Sequence, residues 1–287
     1  MARVKIVTDS TSDIPSELLK KFDISVVPLK VLMGNETYLD GVNLTPERFY
    51  ENLEKMDGLP TTSQPSPYEF ETMYRRLYEK KGNEDLAVLS IHLSAALSGT
   101  VQSAMLAAEE VKKDFDVEVV DSKRASYAVG IIVVEIAKMA QSGASMEECK
   151  DRLSQLMEDT PVYFLVDSLE YLQKNGRIGK ASALIGSLLK MKPVLSLTEN
   201  GEVYPYQKVR GRKKALSVIR DALQERYKDK PVHIGVAHAG DVGTIDELLQ
   251  HVRDVLNVQS EVVTTIGAVI GSHTGRGTVA VTVTGAE

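Results

Sequence analysis

The feature that most constrains this chain is the alternation of strand and helix patterns over its first 160 residues. Val4 to Thr8, Leu86 to Leu93 and Val117 to Val120 are short apolar runs. Each ends in a hydroxyl-rich loop and is followed by residues with helical spacing: Asp9 to Ser12, Ser94 to Thr100, and Asp121 to Ser126. Apolar runs separated by helices build a parallel sheet covered on both faces. Ile24 to Met33 also reads as a strand, which Pro28 confines to an edge or a bend. Helix starts are expected at Asp13 with Pro15, at Thr45-Pro46-Glu47, at Ser66-Pro67 with Glu69, and at Ser145 with Glu148. The last two have the spacing of a capping box.

Past residue 160 the pattern changes. Val162 to Val166, Pro193 to Thr198, Val203 to Val209, Val232 to His238, Glu261 to Ile266 and Thr278 to Thr284 read as strands. Asn200-Gly201 between two of them is a hairpin signal. A mixed sheet with helices on one side is therefore expected, with a boundary near Asp159-Thr160-Pro161 that divides the chain into 1–160 and 161–287.

A chain of 287 residues has room for two domains, and 43% apolar with 26% charged residues is the balance of a soluble globular protein. The net charge of −6 argues against nucleic acid as a partner, because neutralising phosphates takes a basic face. The single cysteine, Cys149, fits a reducing cytoplasm, and Met1 to Asp9 reads as a strand and not as a signal peptide. The longest apolar runs, such as Gly130 to Ala137, are too short for an integral membrane segment.

Pro60-Thr61-Thr62-Ser63-Gln64-Pro65-Ser66 is the densest hydroxyl segment, and reads as a rigid loop held against the helix start at Ser66. Carboxyl ends of parallel strands are where such sheets bind ligands. Hydroxyls and helix N-termini without an arginine clamp suit a carboxylate better than a triphosphate, although most of these residues also serve as helix caps. Nucleotide motifs are missing: Gly179-Lys180 is followed by Ala181, with Lys174 where a phosphate loop needs glycine. No metal is expected, since His233 and His238, five apart in a strand, point to opposite faces.

Gly267 to Gly277 places four glycines around His273, which implies close backbone approach or positive φ. The segment fits a functional histidine and a packed structural one equally. Arg177 sits in a tight Asn175-Gly176-Arg177 turn. Lys208 to Lys214 is the densest basic run, either a solvated helix start or a patch for a phosphate or an acidic partner.

Together these stretches resemble the DegV family, fatty-acid-binding proteins that act as the B component of bacterial fatty acid kinase in phospholipid metabolism. The resemblance covers essentially the whole chain. It rests on Val7 to Asp13, Pro60 to Ser66, Leu97 to Ala104, Asp121-Ser122, Leu169 to Leu172 with Asn175 to Ile178, and Gly267 to Gly277. It implies two α/β domains: an N-terminal three-layer α/β/α domain with a parallel sheet and a C-terminal domain with a mixed six-stranded sheet. One long-chain fatty acid would lie near their interface, as ligand and not as cofactor.

The resemblance further implies that Thr62 and Ser94 bind the carboxylate, with Thr61, Ser63, His273 and Thr274 close by. The chain would then be a carrier without catalysis of its own, presenting the acid to a separate ATP-binding fatty acid kinase subunit that makes an acyl-phosphate. His273 and Arg210 would assist that transfer, and Arg177 would dock the kinase. Two departures stand out: Arg276 where the family commonly has proline, and Ala95 where a second serine often follows. The rival reading is a small-molecule ester hydrolase using a serine with His273, against which the missing nucleophile elbow counts.

Overall fold

The computed structural model describes residues 3–80, 82, 85–185, 192–240 and 242–286. Met1 and Ala2 of the expected first strand lie outside them. The chain begins with β1 (Arg3–Asp9), a 3-10 turn at Ser10–Ser12, α1 (Ser16–Lys21), β2 (Ser25–Val27), β3 (Lys30–Met33) and β4 (Glu36–Leu39). It continues with α2 (Pro46–Lys55), β5 (Thr61–Ser63), α3 (Pro67–Lys80), β6 (Leu86–His92), α4 (Thr100–Val111) and β7 (Asp116–Asp121). Next come α5 (Tyr127–Gln141), α6 (Met146–Asp159), β8 (Val162–Leu165) and α7 (Glu170–Lys174). The remainder is β9 (Lys192–Leu197), β10 (Val203–Val209), α8 (Arg212–Tyr227), β11 (Pro231–His238), α9 (Val242–Arg253), β12 (Asn257–Thr265), α10 (Ala268–Thr274) and β13 (Val279–Gly285).

The N-terminal part forms a parallel four-stranded sheet in the order β2-β1-β6-β7. Every residue of β6 is buried, as expected of a strand covered on both faces. The C-terminal part forms a six-stranded sheet, β10-β9-β8-β13-β11-β12, antiparallel except between β11 and β12. Asn200-Gly201 turns the chain between β9 and β10, with Gly201 at φ 80°. Both expected sheets are present. A third, small antiparallel sheet, β4-β3-β5, was not expected. Its β2–β3 break falls at Pro28, which cannot donate to a ladder.

The two large sheets share a layer. α5 is apolar on almost every side, and Tyr127 to Val134, Ile136, Ala137 and Ala140 are all buried. A helix apolar all round must be covered all round. One core joins α5 and α6 to Ile6, Leu89 and Ile91 of the parallel sheet and to Phe164, Leu195 and Ala280 of the mixed sheet. α3 and α4 cover the far face of the first sheet, and α8 and α9 the far face of the second. The mixed sheet therefore has helices on both faces, which corrects the expectation of one. The second covering comes from the N-terminal half, where no local pattern announces it.

One helix start differs from expectation in its detail. The Ser66–Glu69 and Ser145–Glu148 capping boxes form as the spacing requires. Asp13 does not cap α1; it adopts left-handed φ 50° and turns its carboxyl toward α10.

Gly130 lets α5 lie against the backbone of the first loop. A Cβ there would stand 2.4 Å from the carbonyl oxygen of Ser12 and 3.0 Å from Ile14. In an exposed helix Gly→Ala stabilises by about 1 kcal/mol. Here the blocking atom is backbone, so Gly130→Ala is expected to destabilise by about 2 kcal/mol in urea unfolding. A neutral or stabilising result would mean that α5 and the first loop are not packed this closely.

Candidate functional site

Where the sheets meet α10, the shared core contains a cleft enclosing about 860 Å³ of empty space, its open mouth included. The N-terminal half contributes Leu29, Leu93, Leu97 and Ala125. The C-terminal half contributes Val162, Phe164, Leu172, Leu197, Val203, Ile266, Val269, Ile270 and Ala280. Polar groups are fewer: Thr62, Gln64, Ser98, Ser126, Arg177, His273, Thr274 and Thr278. A long apolar wall with a few polar groups fits an amphipathic molecule with one polar end.

Thr62 and His273 meet in that wall although 211 residues separate them. The Oγ1 of Thr62 lies 2.7 Å from Nε2 of His273. Burial, with the positive charge of Arg177 adding to it, pushes His273 down to about 4. At neutral pH the imidazole is therefore uncharged, and offers a ligand one N–H or one lone pair. Its Nδ1 is buried without a hydrogen-bond partner. Arg177 is exposed and is aimed by two carbonyls, Nε donating to Leu97 O at 3.1 Å and Nη1 to Asn175 O at 2.7 Å.

The helix that carries His273 is held at both ends. Gly267 and Ala268 donate their N–H groups to Asp13 Oδ1 at 2.9 Å and Asp40 Oδ1 at 3.0 Å. A side chain at Gly267 would crowd the Asp13 carboxyl, its Cβ falling 2.8 Å from Oδ1, and would meet Asp40 only at contact distance, 3.4 Å. Asp13 also accepts a hydrogen bond from Ser126, a cleft residue. At the other end Asn175 Nδ2 donates to Ser272 O at 2.8 Å and to Pro60 O at 3.3 Å. The Asn-Gly-Arg turn thus ties α10 to the chain entering β5.

The expected site residues separate into two groups. Thr62, His273, Thr274 and Arg177 all line the cleft. Thr61 and Ser63 flank Thr62 in β5 with exposed side chains, because a strand sends alternate residues to opposite faces. The expected rigid loop at 61–63 is an edge strand paired with β3. Ser94 is fully buried but does not line the cleft: its Oγ accepts from Ala96 N–H at 3.1 Å and rests on Gly201. Arg210 is exposed in the turn before α8 and does not line the cleft either. Arg276 pairs with Glu54 of α2 and stays out of the cleft.

Gln64, Ser98 and Ser126 belong to the cleft and were not singled out. Each lies inside a hydroxyl-rich segment noted above, but nothing in the sequence separates a cleft residue from a cap there. Ser126 has the clearest mark, φ 55° in a non-glycine residue, and that is visible only in the structure.

The chain matches known proteins along its whole length. The family model described as uncharacterised protein, DegV family, matches residues 3–285. Protein DegV of Bacillus subtilis is 37% identical over 276 residues, covering 96% of each chain. Among solved structures, a fatty-acid-binding DegV family protein from Thermus thermophilus superimposes with a TM-score of 0.92. It shares 40% identity and covers 99% of this chain and 100% of its own. A stearic acid-binding protein from Eubacterium ventriosum superimposes with a TM-score of 0.87, at 29% identity and 98% coverage of both chains. By sequence and by fold, this chain belongs to the DegV family.

Proposed function

We propose that this chain is a carrier for a long-chain fatty acid. The observation that carries the reading is the apolar cleft walled by both halves, with the Thr62–His273 pair among its few polar groups. About ten buried methylenes contribute ~8 kcal/mol before ordering costs. The carboxylate would take a hydrogen bond from the Thr62–His273 pair and, once its hydroxyl releases Ile270 O, from Thr274, with Thr61, Ser63 and Ser94 shaping the segments around them. Hydroxyl and N–H donors satisfy a buried carboxylate oxygen by oxygen, so no salt bridge is required. The relatives that bind fatty acids or stearic acid support this ligand class.

The finer reading is that a separate ATP-binding kinase subunit phosphorylates the held acid to an acyl-phosphate. Neutral His273 would then orient the reacting oxygen, the exposed Arg177 would meet the kinase, and Arg210 would act from the protein surface. Among the described residues no helix is long and apolar enough to cross a membrane, so acid and kinase would meet outside the bilayer core. Ester hydrolysis is not favoured. The hydroxyl bonded to His273 belongs to a threonine, and the neighbouring Ser272 donates to Ala268 O at 2.7 Å.

Native mass spectrometry of the purified protein, followed by solvent extraction, tests the carrier reading. One fatty acid per chain is expected. Thr62→Val, which keeps the shape and deletes the hydroxyl, is expected to weaken palmitate binding by about tenfold in a calorimetric titration. A delipidated chain that refuses both palmitate and oleate would sink the reading.

A further inference from the structure

A second polar array lies in the N-terminal half, outside the cleft. Tyr74, Ser90, His92 and Asp9 are each fully buried and joined in a line. Tyr74 OH donates to Ser90 Oγ at 2.8 Å, Ser90 Oγ lies 2.7 Å from His92 Nε2, and His92 Nδ1 lies 2.9 Å from Asp9 Oδ2. The last three have the connectivity of a hydrolytic triad. They do not form an active site, because Ser90 lies within β6, its oxygen already accepts from Tyr74, and Phe70 packs edge-on 5.0 Å from the His92 ring.

The direction of the line follows from its ends. Asp9 Oδ1 accepts from Thr11 N–H at 3.0 Å, and Oδ2 accepts from Leu93 N–H at 3.1 Å. The Asp9 carboxylate therefore receives a hydrogen bond from His92, which puts the proton on Nδ1 and leaves Nε2 to accept from Ser90. All donors point one way, from Tyr74 to Asp9. Asp9 in turn fixes two walls of the cleft. It holds Leu93 directly, and through the Ser10–Ser12 turn it holds Leu29, whose N–H donates to Ser10 Oγ at 3.1 Å. Leu29 and Leu93 both face the cleft.

We infer that the Tyr74–Ser90–His92–Asp9 line is a positioning device for the ligand cleft, in which His92 holds the Asp9 carboxylate in the orientation that sets Leu29 and Leu93. This rests on the fatty-acid reading above and assigns His92 no acid–base role. The imidazole is a shaped N–H donor whose tautomer is locked by Ser90, as partners of the distal nitrogen lock metal-bound histidines elsewhere.

The experiment compares palmitate affinity in the wild type, His92→Leu and His92→Asn after delipidation, with the His92 ring signals followed by NMR. His92→Leu is expected to weaken binding at least about tenfold. His92→Asn, whose amide N–H falls near the former Nδ1, is expected to recover most of that loss. The wild-type ring is expected to show a slowly exchanging proton on Nδ1 and none on Nε2. A general packing role would leave Asn no better than Leu. If His92→Leu does not fold, Ser90→Ala carries the test, with a mixed tautomer and a severalfold loss of affinity expected. Wild-type affinity in every folded variant, or a proton on Nε2, would overturn the inference and leave the carrier reading intact. A wild type that takes up no fatty acid removes both.

Discussion

Ala280→Phe is expected to leave a folded protein that binds palmitate roughly a thousandfold more weakly than the wild type. Ala280 sits near the start of β13, paired across the sheet with Phe164 of β8 and Ala237 of β11, and is part of the cleft wall. A phenyl ring there would enter the cleft that Ala280 lines, which lessens the overpacking penalty of a filled core. The ligand loses what the ring takes. If the ring displaces about half of some ten methylenes, ~4 kcal/mol of apolar transfer is forfeited. Titration calorimetry on delipidated protein reads the affinity, and thermal melting checks the fold. Unchanged affinity in the folded variant would place the acyl chain elsewhere and remove the central support of the carrier reading. Lost affinity with an unchanged melt would locate the chain in this cleft, independently of any head-group residue.

The sheets were legible in the sequence because their signals are local. Strand runs, capping boxes and the Asn200-Gly201 turn each act over a few residues, and the structure follows them. The shared layer was not. The run from Gly130 to Ala137 is too short for a membrane span, and its near lack of a polar face is the mark of a helix packed between two sheets. Site residues divide for the same reason. Thr62 lies in the densest hydroxyl segment of the sequence, but its contact with His273 joins residues 211 apart and depends on β5 being a strand. As a strand, β5 sends Thr61 and Ser63 away from the face that Thr62 occupies. Asp13, two residues ahead of Pro15, has the spacing of a helix start. Its left-handed backbone, which no nearby residue dictates, sends the carboxyl to Gly267 instead.

That carboxyl and its neighbour lead to an expectation about pH. Asp40 is buried and is raised from its ordinary 3.8 to about 6. Burial is the main cause; hydrogen bonds from Ser10 and from the N–H groups of Ala268 and Val269 offset part of it, and the charge of Asp9 adds to it. Asp13, raised well above 3.8 chiefly by burial and also by Asp40 and Asp9, acts in the same direction. An acid whose folded pKa is raised binds its proton more tightly in the folded chain. The stability it contributes is complete below about pH 4 and declines as pH rises through about 6, a difference of about 3 kcal/mol for Asp40 alone. Asp13 extends the decline to higher pH. Asp40→Asn keeps an oxygen for Ala268 N–H and cannot ionise. It is expected to raise stability by about 2 kcal/mol at pH 7.5, less than the full difference because its amide replaces an oxygen that has no partner. Near pH 4 the gain should disappear, since the wild-type carboxyl is then largely neutral in the folded chain. Urea unfolding of both proteins across this range decides the matter. A gain independent of pH, or a loss at pH 7.5, would show that Asp40 holds α10 as a carboxylate whose charge is fully compensated. The part of the cleft wall that α10 supplies would then owe its placement to that ion, and the decline with pH would have to come from Asp13.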